Sequence, residues 1–283
     1  MGRFGERWLD GLAMCFAITM AIGRGHAAEL EARSWMIGTE KREALVVIPE
    51  NARQQPAPVV FAFHGHGGNM RNAARTFHIH QLWPEAICVY MQGLNTPGRL
   101  TDPEGKKPGW QHSAGDQADR DLKFFDTVLE TLHKEAKVDD GQVFATGHSN
   151  GGGFSYLLGS QRGDRLTAIA PSASSAARKG SLPKPMPVLH IAGRNDQLVK
   201  FAWQETMIEA LRQAHGCEAK PSQQAGGRCD VYASPKGYLV ATMIHDGNHA
   251  YPKEAPEVIV DFFKHYRQWN KSTGQDPAAA PIK

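Results

Sequence analysis

The sequence predicts an α/β protein, with a mostly parallel central sheet and helices on both faces. Three observations carry this. Apolar runs of strand length, at residues 58–63, 86–91 and 187–193, lack polar alternation, as strands covered on both sides do. Between such runs lie stretches whose apolar residues recur at helical spacing, which is the alternation of an α/β domain. Finally, residues 142–147 are strand-like and turn through Gly147-His148-Ser149-Asn150-Gly151 into helix-compatible residues 154–158.

In chain order, Arg3 and Arg7 precede an apolar stretch at residues 12–22, and Gly25-His26-Ala27 follows. A basic start, an apolar middle and a small-residue end are the parts of a secretory signal. The expected cut follows Ala27 or Ala28, leaving a secreted or periplasmic domain over residues 28–271. The stretch is too short for a membrane span, which needs about 20 apolar residues. Cys15 would leave with the signal.

The strand at 58–63 runs into His64-Gly65-His66-Gly67-Gly68. This resembles the loop that supplies one oxyanion-binding N–H in lipases and esterases. The strand at 86–91 holds Cys88, expected as a free apolar thiol. A helix is expected over 116–135, where Leu122, Phe125, Val128, Leu129 and Leu132 share a face. The Gly-x-Ser-x-Gly turn then places Ser149 on a sharp strand-to-helix bend with its hydroxyl exposed. The N–H of Asn150, just after it, points where an oxyanion would form. His66 and Asn150 are therefore the expected donors.

A strand at 166–170 follows, and then the one at 187–193. Asp196 leaves the C-terminal end of the latter, where a triad acid belongs. A helix is expected over 200–214, with Phe201, Met207, Ile208 and Leu211 apolar. Cys217 and Cys229 flank a polar, glycine-rich segment and form a candidate disulfide in an oxidising compartment. The strand at 238–244 breaks at Asp246-Gly247-Asn248, and His249 follows. The order Ser149, Asp196, His249 is that of an α/β-hydrolase. In it His249 takes the serine proton and Asp196 fixes the imidazole tautomer. His245, at the strand end, is expected to support the loop. The last helix, 257–269, carries Val258, Ile259, Phe262, Phe263 and Tyr266. Residues 272–283 read as a tail without fixed structure.

His64-Gly65-His66-Gly67-Gly68, Gly147-His148-Ser149-Asn150-Gly151-Gly152, Asp196 and Gly247-Asn248-His249-Ala250-Tyr251-Pro252 resemble the secreted esterases grouped as polyhydroxybutyrate depolymerase and feruloyl esterase-like proteins. Acetyl xylan esterases and the esterase D proteins are their relatives. The likeness spans about residues 35–270. It implies a serine hydrolase of carboxylic esters. Members commonly end in Gly-Gly-His followed by Trp-Pro. Here Asn248 and Tyr251 differ, so the catalytic position stays and its aromatic lining changes. The resemblance also offers Trp110 as a substrate contact.

A length of 283 residues, with 41% apolar and 22% charged, suits a globular protein of one large domain or two small ones, and no repeat or linker divides it. A net charge of only +3 with no Lys/Arg block gives nucleic-acid binding no support. Two other readings use the same residues. His64 and His66, with His78 and His80 nearby, could ligate a metal in a metal-dependent hydrolase, although no further ligand or cysteine joins them. A non-catalytic binding protein on a hydrolase scaffold is the other. The expected enzyme needs no cofactor and no metal. Its partner is an ester derived from plant cell-wall polysaccharide or from polyester. Hydroxycinnamoyl, acetyl and 3-hydroxyacyl groups all stay open, as does the oligomeric state.

Overall fold

The computed structural model describes Met1, residues 29–176 and residues 182–270. Apart from Met1, the signal segment and the C-terminal tail expected from sequence lie outside the described residues. In chain order the strands are β1 (Glu31–Ile37), β2 (Glu40–Val47), β3 (Ala57–Phe63), β4 (Ile87–Met91), β5 (Leu94–Asn95), β6 (Pro108–Gly109), β7 (Val138–His148), β8 (Ala168–Ser172), β9 (Val188–Gly193), β10 (Ser222–Gln224), β11 (Cys229–Tyr232) and β12 (Val240–His245). The helices are α1 (Met70–Phe77), α2 (Ile79–Leu82), α3 (Arg120–Glu135), α4 (Asn150–Arg162), α5 (Phe201–His215) and α6 (Ala255–Trp269).

Ten strands form one sheet in the order β1-β2-β4-β3-β7-β8-β9-β12-β11-β10. Its middle, from β4 to β12, is parallel. Antiparallel strands close both ends. This is the α/β-hydrolase fold. Every residue of β3 is buried, so the unbroken apolar run predicted its position correctly. Its side chains alternate between two cores: Val59, Phe61 and Phe63 join α3 and α4 on one face, Val60 and Ala62 join α1 and α6 on the other. Among the described residues, no helix is long and apolar enough to cross a membrane.

Three expectations change. The helix predicted from residue 116 begins at Arg120, because Gln117, Ala118 and Asp119 all have φ between 52° and 57° and cannot continue an α-helix backward. The strand placed at 166–170 is Ala168–Ser172, paired alongside β7. The disulfide expected between Cys217 and Cys229 is not made: both are free, as is Cys88. The reason is topological. Cys217 packs against the core under α3, α4 and α5, whereas Cys229 faces the opposite core with α1 and α6. Burial pushes the Cys229 thiol up to about 12, so it stays protonated and inert.

Candidate active site

The C-terminal ends of the parallel strands converge on one edge of the sheet, where ligand clefts of open α/β folds lie. β7 delivers Ser149 there. Its φ of 56° and ψ of −120° put a non-glycine residue in strained backbone. The turn holds because its neighbours have no side chains. A Cβ on Gly147 would collide with the Gly151 carbonyl carbon and oxygen. A Cβ on Gly151 would run into the Phe63 carbonyl oxygen. The Ser149 N–H donates to the Ser172 carbonyl on the adjoining strand (2.8 Å), which pins the bend to β8.

β9 and β12 bring the other two residues. The Asn195 N–H donates to the Gly247 carbonyl (3.1 Å) and the Arg194 N–H to the His245 carbonyl (2.8 Å), so the two loops leave the sheet tied together. His249 Nδ1 lies 2.8 Å from Asp196 Oδ2, and His249 Nε2 lies 2.9 Å from Ser149 Oγ. A carboxylate only accepts, so Nδ1 carries the hydrogen and Nε2 is left to accept from the serine hydroxyl. Asp196 is 2% exposed. Its second oxygen, Oδ1, accepts from the Leu198 and Val199 N–H groups, both at 2.9 Å. Four hydrogen bonds thus surround a buried carboxylate, with the Gln204 amide the last of them at 3.3 Å. His245 stays out of the cluster. Its Nδ1 accepts from the Gly247 N–H (3.1 Å), bracing the loop as expected. His148, inside the turn, has its ring 5.1 Å from that of His249, and burial followed by the His249 charge pushes it down to about 4.

Asn150 opens α4, where an N–H has no intrahelical acceptor and the helix dipole is positive. Asn150 and His66 both line the cavity over Ser149. The Asn150 side chain does something the sequence did not announce: Oδ1 accepts from the Trp110 N–H (2.7 Å) and Nδ2 donates to the Trp110 carbonyl (3.1 Å). His66 is fixed by its ring, with Nε2 donating to Asp102 Oδ2 (3.0 Å). The Lys106 N–H first, and the His66 ring next, hold the Asp102 carboxyl below the usual carboxylate range.

Trp110 is not a substrate contact. Its ring is fully buried, stacked on Phe154 (5.3 Å, 19°) and edge-on to Phe63 (5.1 Å). Its indole N–H donates to the His64 carbonyl (2.8 Å), so it anchors the His64–Gly68 loop from behind. Of the apolar side chains that do line the cavity, Leu100, Leu198 and Trp203 are exposed, and polar groups such as Arg99, Thr101 and His112 share the lining. The cavity has a volume of about 530 Å³.

The four early histidines do not converge. His64 Nδ1 donates to the Gly65 carbonyl (2.8 Å), and its Nε2 accepts from the Gly93 N–H (3.0 Å). His78 turns to the Thr76 carbonyl, and His80 Nδ1 lies 2.8 Å from the Tyr90 hydroxyl. Among the described residues, no three His, Cys, Asp or Glu side chains are grouped so as to hold a metal ion.

The chain is similar to a probable feruloyl esterase C of Aspergillus clavatus, 29% identical over 221 residues that cover 74% of this chain and 75% of the relative. It is 28% identical over 216 residues to feruloyl esterase C of Emericella nidulans, covering 74% and 76%. This chain is a carboxylic ester hydrolase. Among solved structures, a ferulic acid esterase shares this hydrolase's fold with a TM-score of 0.61 at 15% identity, covering 84% of this chain and 98% of that one. No family model matches the sequence.

Proposed function

We propose that the enzyme cleaves its esters through an acyl-enzyme on Ser149. Ser149 Oγ attacks the carbonyl carbon while its proton passes to His249 Nε2. The carbonyl oxygen gains negative charge against the N–H groups of His66 and Asn150. The bond to the alcohol oxygen then breaks, and that oxygen takes the proton from His249. Water, deprotonated by the same imidazole, attacks the acyl carbon, and the acid leaves as Ser149 regains its proton. Asp196 keeps Nδ1 protonated and stabilises the imidazolium. Each oxyanion donor is worth roughly 3 kcal/mol in the transition state. The observation that carries this reading is the unbroken hydrogen-bonded line Ser149–His249–Asp196, at 2.9 and 2.8 Å.

For the acyl group, a hydroxycinnamoyl ester ranks ahead of acetyl and 3-hydroxyacyl esters. A cavity of about 530 Å³ rimmed by Leu100, Leu198 and Trp203 has room and apolar surface for an aryl ring, which an acetyl group would leave wet. The similar proteins named feruloyl esterase support the same choice.

An organophosphonate ester should label Ser149 at one equivalent and abolish hydrolysis of methyl ferulate, while EDTA leaves the rate unchanged. On a panel with acetylated xylan and polyhydroxybutyrate, methyl ferulate should give the highest kcat/KM. Activity that survives Ser149→Ala, or that EDTA abolishes and zinc restores, would overturn the mechanism.

A further inference from the structure

Behind the acid lies a buried polar line that the acyl-enzyme chemistry does not use. Gln204 on α5 sends Nε2 to Asp196 Oδ2 (3.3 Å) and to the Val199 carbonyl (2.8 Å). Its Oε1 is 3.1 Å from His190 Nε2 on β9. His190 Nδ1 is in turn 2.6 Å from the Tyr156 hydroxyl on α4. Tyr156, His190 and Gln204 are each 0% exposed.

The protons along this line can be assigned. Flipping the Gln204 amide would aim Oε1 at a carboxylate and a carbonyl, acceptor against acceptor, so Nε2 faces them and Oε1 faces His190. His190 Nε2 must then donate. Burial pushes His190 down to about 4, so the ring is neutral and Nδ1 accepts, which leaves the Tyr156 O–H as its donor. Every donor in the series points toward Asp196. A buried polar residue is costly unless fully bonded. Here three of them back one carboxylate oxygen, the same oxygen that accepts the hydrogen bond from His249 Nδ1–H.

We propose that Gln204, His190 and Tyr156 are positioning residues that hold Asp196 in the rotamer presenting Oδ2 to His249 Nδ1. The inference rests on Asp196 being the triad acid. Oδ1 is tethered by the Leu198 and Val199 N–H groups, so the freedom left to the carboxylate is the swing of Oδ2 about that tether. The Gln204 amide removes it. His190 and Tyr156 keep that amide from turning over.

Kinetics on single and double variants test this. Gln204→Leu removes the donor at similar volume and should lower kcat about tenfold with KM unchanged, the scale seen when a supporting hydrogen bond behind an active ligand is lost. Tyr156→Phe deletes one oxygen and keeps the packing, so it stays informative if Gln204→Leu folds poorly. It should lower kcat about threefold, by loosening the neighbouring bonds of the network. The deciding measurement is a double-mutant cycle. In an Asp196→Ala background neither change should lower kcat further, because its effect passes through the carboxylate. If the losses add in that background, or if both variants keep wild-type kcat while Asp196→Ala is inactive, the positioning role is overturned. If Asp196→Ala itself keeps full activity, the triad assignment fails first, which is a separate outcome.

Discussion

Ser149 shows how much of the site is decided at single residues. Its φ of 56° is sustained only because Gly147 and Gly151 let strand and helix backbones touch. The strain puts Oγ 2.9 Å from His249 instead of folding it into the helix. In the proposed mechanism Asp196 and His249 divide the remaining work by their hydrogen-bond capacity. Asp196→Asn keeps the shape but offers an N–H where the imidazole needs an acceptor, favouring the wrong tautomer. Steady-state kinetics should show kcat falling by on the order of 10⁴-fold, as in serine proteases. His249→Ala should be at least as severe. His245→Ala loses only a bond to the Gly247 N–H and should stay within a few-fold of the parent, the ordinary cost of one loop hydrogen bond. An inactive His245→Ala beside an active His249→Ala would move the base to the other ring.

At the scale of the element, α5 serves two environments. Gln204, Met207, Ile208 and Leu211 form its buried stripe, while Trp203 is 43% exposed at the cavity mouth. The Lys200 ammonium lies 5.7 Å from the Trp203 ring centroid, which helps hold the indole in place. The helix begins just after the Asp196 loop, so a single segment supports Asp196 from inside and lines the cavity outside. Trp203→Ala should raise KM for methyl ferulate about tenfold, the loss of ~1.4 kcal/mol of aryl contact. KM for a short acetyl ester should hardly move. Equal losses on both substrates would show that Trp203 serves the fold and not the aryl group.

For the whole molecule, the buried histidines set a pH limit on stability. Burial pushes His64 and His190 each down to about 4. Unfolded, the same rings take up protons near 6.5. The folded state therefore prefers them neutral. Their contribution is complete above about pH 6.5 and is lost as pH falls toward 4. By pH 5 each ring should have withdrawn about 2 kcal/mol, while most exposed carboxylates are still ionised. Urea melts at pH 7.5 and pH 5.0 should show the midpoint falling with an unchanged slope. A midpoint that stays level or rises would show that these rings are not held neutral in the fold.

Much of this was legible from sequence because it is written in contiguous residues. A strand covered on both faces needs an apolar run, and β3, β4 and β9 have one, interrupted in β9 only by His190. A strand-to-helix bend needs glycines beside the serine. The order Ser149, Asp196, His249 follows from each residue leaving a strand end. What could not be read depends on partners distant in sequence. The edge strand β1 mixes Glu31, Arg33 and Ser34 with Trp35, and only pairing with β2 makes it a strand. Trp110 could be placed on a loop, but its burial comes from Phe63, Phe154 and the His64 carbonyl meeting around it. Cys217 and Cys229 are near in sequence, yet the sheet runs between their sides. Gln204 shares the buried stripe of α5 with Met207, Ile208 and Leu211 but is not singled out from sequence, because helical spacing names no polar partner opposite it. Only the packing of α5 on β9, with α4 alongside, shows that the partner is Asp196, because hydrogen bonds are decided by final positions and not by spacing along the chain.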